Sequence, residues 1–316
     1  MSDCLPRRGG RTWILICSML SLLGSQLQPA WAQKPASAQL EKSTQVLSGT
    51  RFELKYRFEP GEEILSKVIH LVTMDTKIEG TAEIVETRSV SIRRWKITAV
   101  DKRGNITFLH YVDKANMWQK VTGRPEIRFD SESDETPHEL YRNVAKTIGV
   151  SLATITISPQ GVILGRESAQ PHFNPGIGEL TVPLPDRPVK VGQKWYIPNE
   201  LRISTADGRY KRIQTRQLYT LQKVQTGVAT IKVATQVLTP IRDPKIQSKL
   251  IQRLQHGTIK FDLDAGRVRS KQMDLNERVI GFNGAASIMH YLTRFTEEWS
   301  VSDDTGKSVG PVRSSN

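Results

Sequence analysis

Cysteine is almost missing: the 316 residues hold two, Cys4 and Cys17. Both fall within residues 1–32, a segment with the make-up of a secretory signal. Arg7, Arg8 and Arg11 form a basic start, Trp13 to Leu23 a short apolar run, and Ala30-Trp31-Ala32 the small-x-small cleavage pattern. Cleavage there begins the mature chain at Gln33 and leaves it without a thiol. Disulfides, thiolate metal sites, iron–sulfur clusters and cysteine nucleophiles are then excluded together. Long apolar runs are missing too. The signal's run is about 11 residues, against the roughly 20 that a membrane span needs. Bulky Ile16 before Cys17 does not suit lipid attachment, and no later stretch approaches a span. The expected location is periplasmic or extracellular, with no transmembrane span in the mature chain.

Familiar catalytic motifs are absent as well. The six histidines, His70, His110, His138, His172, His256 and His290, show neither HxH nor HExxH spacing, so the common zinc patterns do not arise. There is no GxSxG elbow, SxxK or P-loop, and Gly281-Phe282-Asn283-Gly284 lacks the lysine that a phosphate cradle uses. The acidic run Asp130, Glu132, Asp134, Glu135 has no glycine where a calcium loop bends sharply, so it reads as a solvated loop. No catalytic residue, metal or cofactor is expected. Asp262 and Asp264 share one side of a strand, as paired acids would. Apolar residues occupy the other side, which makes these aspartates surface and turn residues.

What the chain does have is alternation. Phe52, Leu54, Tyr56 and Phe58 alternate with charged residues ahead of the turn Glu59-Pro60-Gly61-Glu62. Ile64 to Ile78 and Thr81 to Val100 follow, rich in Thr, Val and Ile and separated at Glu79-Gly80. Asn105 to Thr122 comes next, bulged near Asp113 to Asn116. Period-2 runs of this length belong to a twisted, curled antiparallel sheet. Prolines and glycines cluster between Ser168 and Pro188. Beyond them Val189 to Trp195 opens a second series, in which Asp207-Gly208 turns Leu201–Thr205 into Arg209–Gln217. The expected organisation is a flexible leader over 33–49, β-rich halves over 50–182 and 183–302, and a disordered tail over 303–316.

One stretch occurs twice in outline. In Asp243 to Ser270, Asp243 caps a helix, Pro244 takes its first position and Gly257 follows its last turn. Ile246, Leu250 and Leu254 recur at i, i+4, i+8 to give one apolar face. The period then switches to two: Ile259, Phe261 and Leu263 lead through Ala265-Gly266 into Arg267-Val268-Arg269. In Pro137 to Arg166, Leu140, Val144 and Ile148 again stand four apart, Gly149 closes the helix, and Pro159-Gln160-Gly161 turns a second hairpin. Each unit follows a hairpin of its own, so the halves read as related, each with one short amphipathic helix.

Charge gives the remaining signal. Removing the signal takes three basic residues and one acidic residue from 45 and 32, leaving a mature net charge of about +11, which favours anionic partners. Basic residues gather at Arg88 to Lys96, at Arg209, Lys211, Arg212 and Arg216, and at Arg267, Arg269 and Lys271, the last three alternating as a stripe on one face. Interleaved aromatics are scarce in these clusters, so nucleic acid is not an expected partner.

Three short segments carry a resemblance: Tyr56-Arg57-Phe58-Glu59-Pro60-Gly61-Glu62, Val191-Gly192-Gln193-Lys194-Trp195 and Phe261-Asp262-Leu263-Asp264-Ala265-Gly266-Arg267-Val268. With them, residues 51–300 resemble an uncharacterised family of secreted bacterial β-rich proteins of unknown function, which implies no activity and no catalytic residues. The expected fold is mainly β, with long curved antiparallel strands, similar to the half-barrels of periplasmic lipoprotein carriers, where a helical plug and a curled sheet bound an apolar groove. On that expectation Leu140, Val144, Ile148, Ile246, Leu250 and Leu254 line a groove for a lipid, another amphiphile or an envelope protein. The alternative is a scaffold that binds anionic envelope polymer through the basic strands. A hydrolase without a recognisable motif is a third reading.

Overall fold

The structure is a computed structural model that describes residues 49–169, 180–205 and 208–301. The signal, the leader, the tail, His172 and Asp207 of the expected hairpin turn lie outside the described residues. Among the described residues, fourteen strands and two short helices follow in order. The first half holds β1 (Arg51–Phe52), β2 (Glu63–Ile78), β3 (Thr81–Val100), β4 (Ile106–Val121) and β5 (Ile127–Asp130). Then come α1, a 3-10 turn at Glu139–Tyr141 running into Arg142–Ala145, and β6 (Ser151–Ile157) and β7 (Ile163–Ser168). The second holds β8 (Val189–Lys190), β9 (Lys194–Ser204), β10 (Tyr210–Gln225), β11 (Val228–Val237), α2 (Pro244–Leu250, with a 3-10 turn at Ile251–Arg253), β12 (His256–Asp262), β13 (Arg267–Ile280) and β14 (Ile288–Val301).

One antiparallel sheet takes nearly all of them, in the order β7-β6-β4-β3-β2-β14-β13-β12-β11-β10-β9, with β5 added on β4. The fold is mainly β and the sheet is not closed, because β7 and β9 do not pair. Leaving β5 aside, each half contributes five strands with a helix before its last two, and β14 joins them by pairing with β13 on one side and β2 on the other. The shared order matches the two related units read from the sequence. The turn Glu79-Gly80 has both residues at positive φ, 49° and 85°, as a two-residue hairpin needs.

Three expectations need correction. Residues 53–58 alternate in burial but are not a strand of the sheet. Leu54, Tyr56 and Phe58 are buried, while the backbone bonds go elsewhere: Tyr56 N–H donates to Pro159 O (2.7 Å) and Arg57 N–H to Gly266 O (2.9 Å). The segment is thus gripped by the hairpin tips of both units. Gly161 and Gly266 allow this, since a Cβ on either would strike Tyr56 or Arg57 at 2.6–2.7 Å. Second, Gly257 does not stop α2; the helix gives way at Leu254, which is extended, and Gly257 sits inside β12. It is glycine because a Cβ there would collide with Gln272 O of β13. Third, α1 is shorter than its spacing suggests. Ile148 lies beyond it, bridging Val112, although Gly149 does close the turn at φ 75°.

The inner face divides along the strands. At one end both halves meet in a single core, with Trp95, Ile97 and Phe108 of the first half alongside Tyr219, Leu221 and Phe261 of the second. Residues 54–58 and Leu180, Val182 and Leu184 close that end. Toward the other end the core splits. Tyr141, Val144 and Ala145 of α1 stand on Val112, Ala115 and Phe129. Ile251 beside α2 stands on Leu275, Val279, Met289 and Tyr291, while Ile246 and Leu250 pack on Ile203 and Ile213 of β9 and β10.

Candidate functional site

Between the two helix clusters the inner positions of β2 and β3 are left half-buried. His70, Val72 and Met74 on β2, and Ser89, Thr87 and Val85 on β3, form a half-buried strip, here called the trough, with Thr293 and Phe295 of β14 beside them and Val72 and Met74 packed at the edge of the α2 cluster. Alternation puts these side chains on the same face as the core. Where the trough meets the closed core, a row of polar residues crosses the sheet. His110 of β4 lies opposite Trp95, Arg93 of β3 opposite Ser66 of β2, and Glu297 of β14 opposite Lys271 of β13. All five polar side chains are buried, from His110 at 1% exposed to Arg93 and Lys271 at 8%.

Two bulges set this row. A register shift between Lys260 and Phe261 of β12 leaves Arg269 as an extra residue in β13, so Val268 and Lys271 both face inward. A shift between Ile92 and Arg93 leaves Asp113 extra in β4, so Val112 and Ala115 both face inward. Asp113 goes to the outer face, where Arg94 meets it at 2.8 and 3.0 Å, reaches Glu63 at 3.2 Å and lies over the Tyr111 ring. Arg93 and Arg94 therefore differ entirely in setting: one in solvent-side ion pairs, the other inside.

Within the row, Glu297 Oε1 accepts from Ser66 Oγ at 3.1 Å and its Oε2 lies 3.4 Å from Lys271 Nζ, which also sits 4.9 Å from the Phe295 ring centre. The Arg93 guanidinium makes no hydrogen bond or close ion pair among the described residues, and its buried Nε has no partner. Burial pushes its pKa down, opposed by the charge of Glu297. His110 Nε2 is buried and unpartnered too, and burial, with Arg93 and Arg166 nearby, pulls that imidazole down to about 3. His110 is thus neutral, and the row holds two cations against one carboxylate. Arg93 also lowers the His70 pKa, behind the larger effect of burial, so its charge is felt on the trough side. His70 Nε2 is 3.0 Å from Thr293 Oγ1, whose own hydroxyl donates to Leu71 O. That leaves the His70 Nε2–H as donor.

The residues expected to line a groove are divided. Ile246 and Leu250 are buried against β9 and β10, Leu254 and Val144 are partly buried, Ile148 lies past its helix, and Leu140 is 49% exposed, pointing away from the sheet. The expected basic stripe does not form. Lys271 is inside on Glu297, Arg267 pairs with Glu62 at 2.5 Å over the Phe58 ring, and Arg269 is exposed. In the other cluster Arg212 lies 3.7 Å from Glu200, Arg216 donates to Gln236 at 2.7 Å, and Lys211 and exposed Arg209 lie nearer the β9–β10 turn. Asp262 accepts from the Asp264 and Ala265 N–H groups, capping its hairpin as a turn residue. Among the described residues no three His, Cys, Asp or Glu side chains gather closely enough to hold a metal ion.

Sequence reasoning missed Ser66, Arg93, His110 and Glu297. The signal was present: Glu297 stands in the inward phase between Phe295 and Trp299, and Arg93 two residues before Trp95. Charge at an apolar phase marks a buried ion, but the bulges hide which positions meet. Two shallow hollows lie along the sheet. One of about 330 Å³ lies over β12–β14 and is lined by Lys271 and Glu297 of the row with Thr258, Ser270 and Thr296. Another, of about 410 Å³, is lined by Glu62, Arg267 and Trp299.

No family model matches the chain and no curated protein matches it. Among solved structures it is similar to a DUF1329 family protein from Desulfovibrio piger, 11% identical, over 86% of this chain and 94% of that one, at a TM-score of 0.16. Neither the identity nor the TM-score supports carrying a function across.

Proposed function

We propose that this is an exported, non-enzymatic binding protein of the cell envelope that holds an amphiphile in the trough between its helices. The observation that carries the reading is the splitting of the core: α1 and α2 stand on separate clusters, and the inner face of β2 and β3 stays half-buried, with Val72 and Met74 at the edge of the α2 cluster. Half-buried Val72, Met74, Val85 and Phe295 supply an apolar floor, worth roughly 25 cal/mol per Å² of surface that an acyl chain would cover. Polar residues at one end make the trough two-sided in character, as an amphiphile requires. The polymer-scaffold alternative has less behind it, because Arg212, Arg216, Arg267 and Lys271 already have partners. No helix among the described residues is long and apolar enough to cross a membrane. Native mass spectrometry of the protein purified from its own envelope is the test. A co-purifying mass removed by organic extraction is expected, and a bare polypeptide mass under gentle conditions would go against the reading.

A further inference from the structure

The trough has a chemically distinct end, and its distinctness is an imbalance of charge. Glu297 is bonded to Ser66 and faces Lys271. Arg93, buried to the same degree, has no such contact among the described residues, and the nearby His110 offers a buried ring nitrogen that is likewise unpartnered. A buried cation without a hydrogen-bonded counter-charge is costly, and a planar guanidinium fork matches the two oxygens of a carboxylate or phosphate. The floor leading away from Arg93 is apolar on β2 and β14, at Val72, Met74 and Phe295.

Resting on the trough reading above, we infer that the ligand is an anionic amphiphile whose carboxylate or phosphate head is held by Arg93, with His110 as a second donor, and whose chain lies along the trough. The chemistry requires a head group with an oxyanion, so an uncharged lipid of equal chain length is the wrong partner. Glu297 limits how many negative charges the site tolerates, because a second anionic group near it would meet a carboxylate. A singly charged head is therefore favoured over a multiply charged one.

The experiment is a titration of delipidated protein with laurate, lauryl phosphate and dodecanol, read by intrinsic tryptophan fluorescence and isothermal calorimetry, on the wild type and on Arg93→Met. Laurate or lauryl phosphate is expected to bind at least tenfold more tightly than dodecanol. Arg93→Met should erase that difference while leaving dodecanol binding in place. Laurate ahead of lauryl phosphate, whose monoester head carries close to two charges at neutral pH, is the order expected beside Glu297 and points to a fatty-acid head; the reverse order points to a phosphate head and overturns the single-charge preference. Arg93→Lys, which keeps the charge but loses the fork, covers the case in which Arg93→Met fails to fold, and should retain only part of the preference. Equal binding of all three probes, unmoved by either variant, overturns the anion site and leaves the trough reading standing. Binding of none of them overturns both.

Discussion

Lys271 Nζ lies 3.4 Å from Glu297 Oε2, and both side chains are inside the protein. The two are directly opposed across β13 and β14, and Glu297 is the row's one carboxylate against two cations. Glu297→Gln removes the carboxylate that Lys271 faces and whose charge acts on Arg93, and is expected to destabilise by about 3–5 kcal/mol. Lys271→Met should cost less, because Arg93 still balances Glu297. Urea denaturation of both variants measures this, and equal losses would mean that Arg93 does not share Glu297.

Acid should weaken the fold through His110. With its folded pKa at about 3 and an unfolded value near 6.5, the unfolded chain takes up a proton that the native state refuses. Stability from this group is therefore full above about pH 6.5 and falls as the pH drops toward 3, by up to about 1.4 kcal/mol per unit. His70, also lowered by burial, acts in the same direction. Denaturation midpoints at pH 7, 5 and 4 should fall less steeply in His110→Gln than in the wild type; parallel lines would count against a buried neutral His110.

The two helices should respond unequally to the same change. Leu250→Asp puts a carboxylate against Ile203, Ile213 and Ile246 and is expected to cost about 3 kcal/mol or more. Leu140→Asp, on an exposed position of α1, should stay within about 0.5 kcal/mol. Thermal melts of the pair would check that Leu250 faces the core while Leu140, unlike its buried neighbour Tyr141, does not.

Gly257→Ala tests the close approach of β12 to β13. Its Cβ would collide with backbone at Gln272, so a loss of about 1–3 kcal/mol is expected, as for other overpacked sites. Gly149→Ala meets no neighbour and bears only its positive φ, a cost of about 1 kcal/mol. Similar melting temperatures for the two would mean that the strands can separate locally.

Much of the fold was legible because long alternating runs such as Thr81 to Val100 and the turn at Glu79-Gly80 depend only on local periodicity and φ. Residues 53–58 alternate just as cleanly, yet their hydrogen bonds go to the hairpin tips at Pro159 and Gly266, which no local pattern encodes. The basic residues misled for a related reason. Arg267 and Lys271 alternate in sequence, but the bulge at Arg269 reverses the phase between them. The charged row escaped notice because its members lie on different strands and meet only through register.

The pairing of β14 with β2 sets an order of assembly. Ser66 meets its partner Glu297 across 231 residues of chain, and β2 is registered against β14 from Ile64 to Lys77. During synthesis β2 emerges early and its far partner is translated last among the described strands. Until then β2 presents an unpaired edge 16 residues long, a template for mispairing with another chain. Loss of only the final strand would therefore leave that edge open and remove the sheet pairing between the halves, leaving them only their shared core and the grip on residues 53–58, so C-terminal truncation should appear in the cell as aggregation or proteolysis of the whole protein.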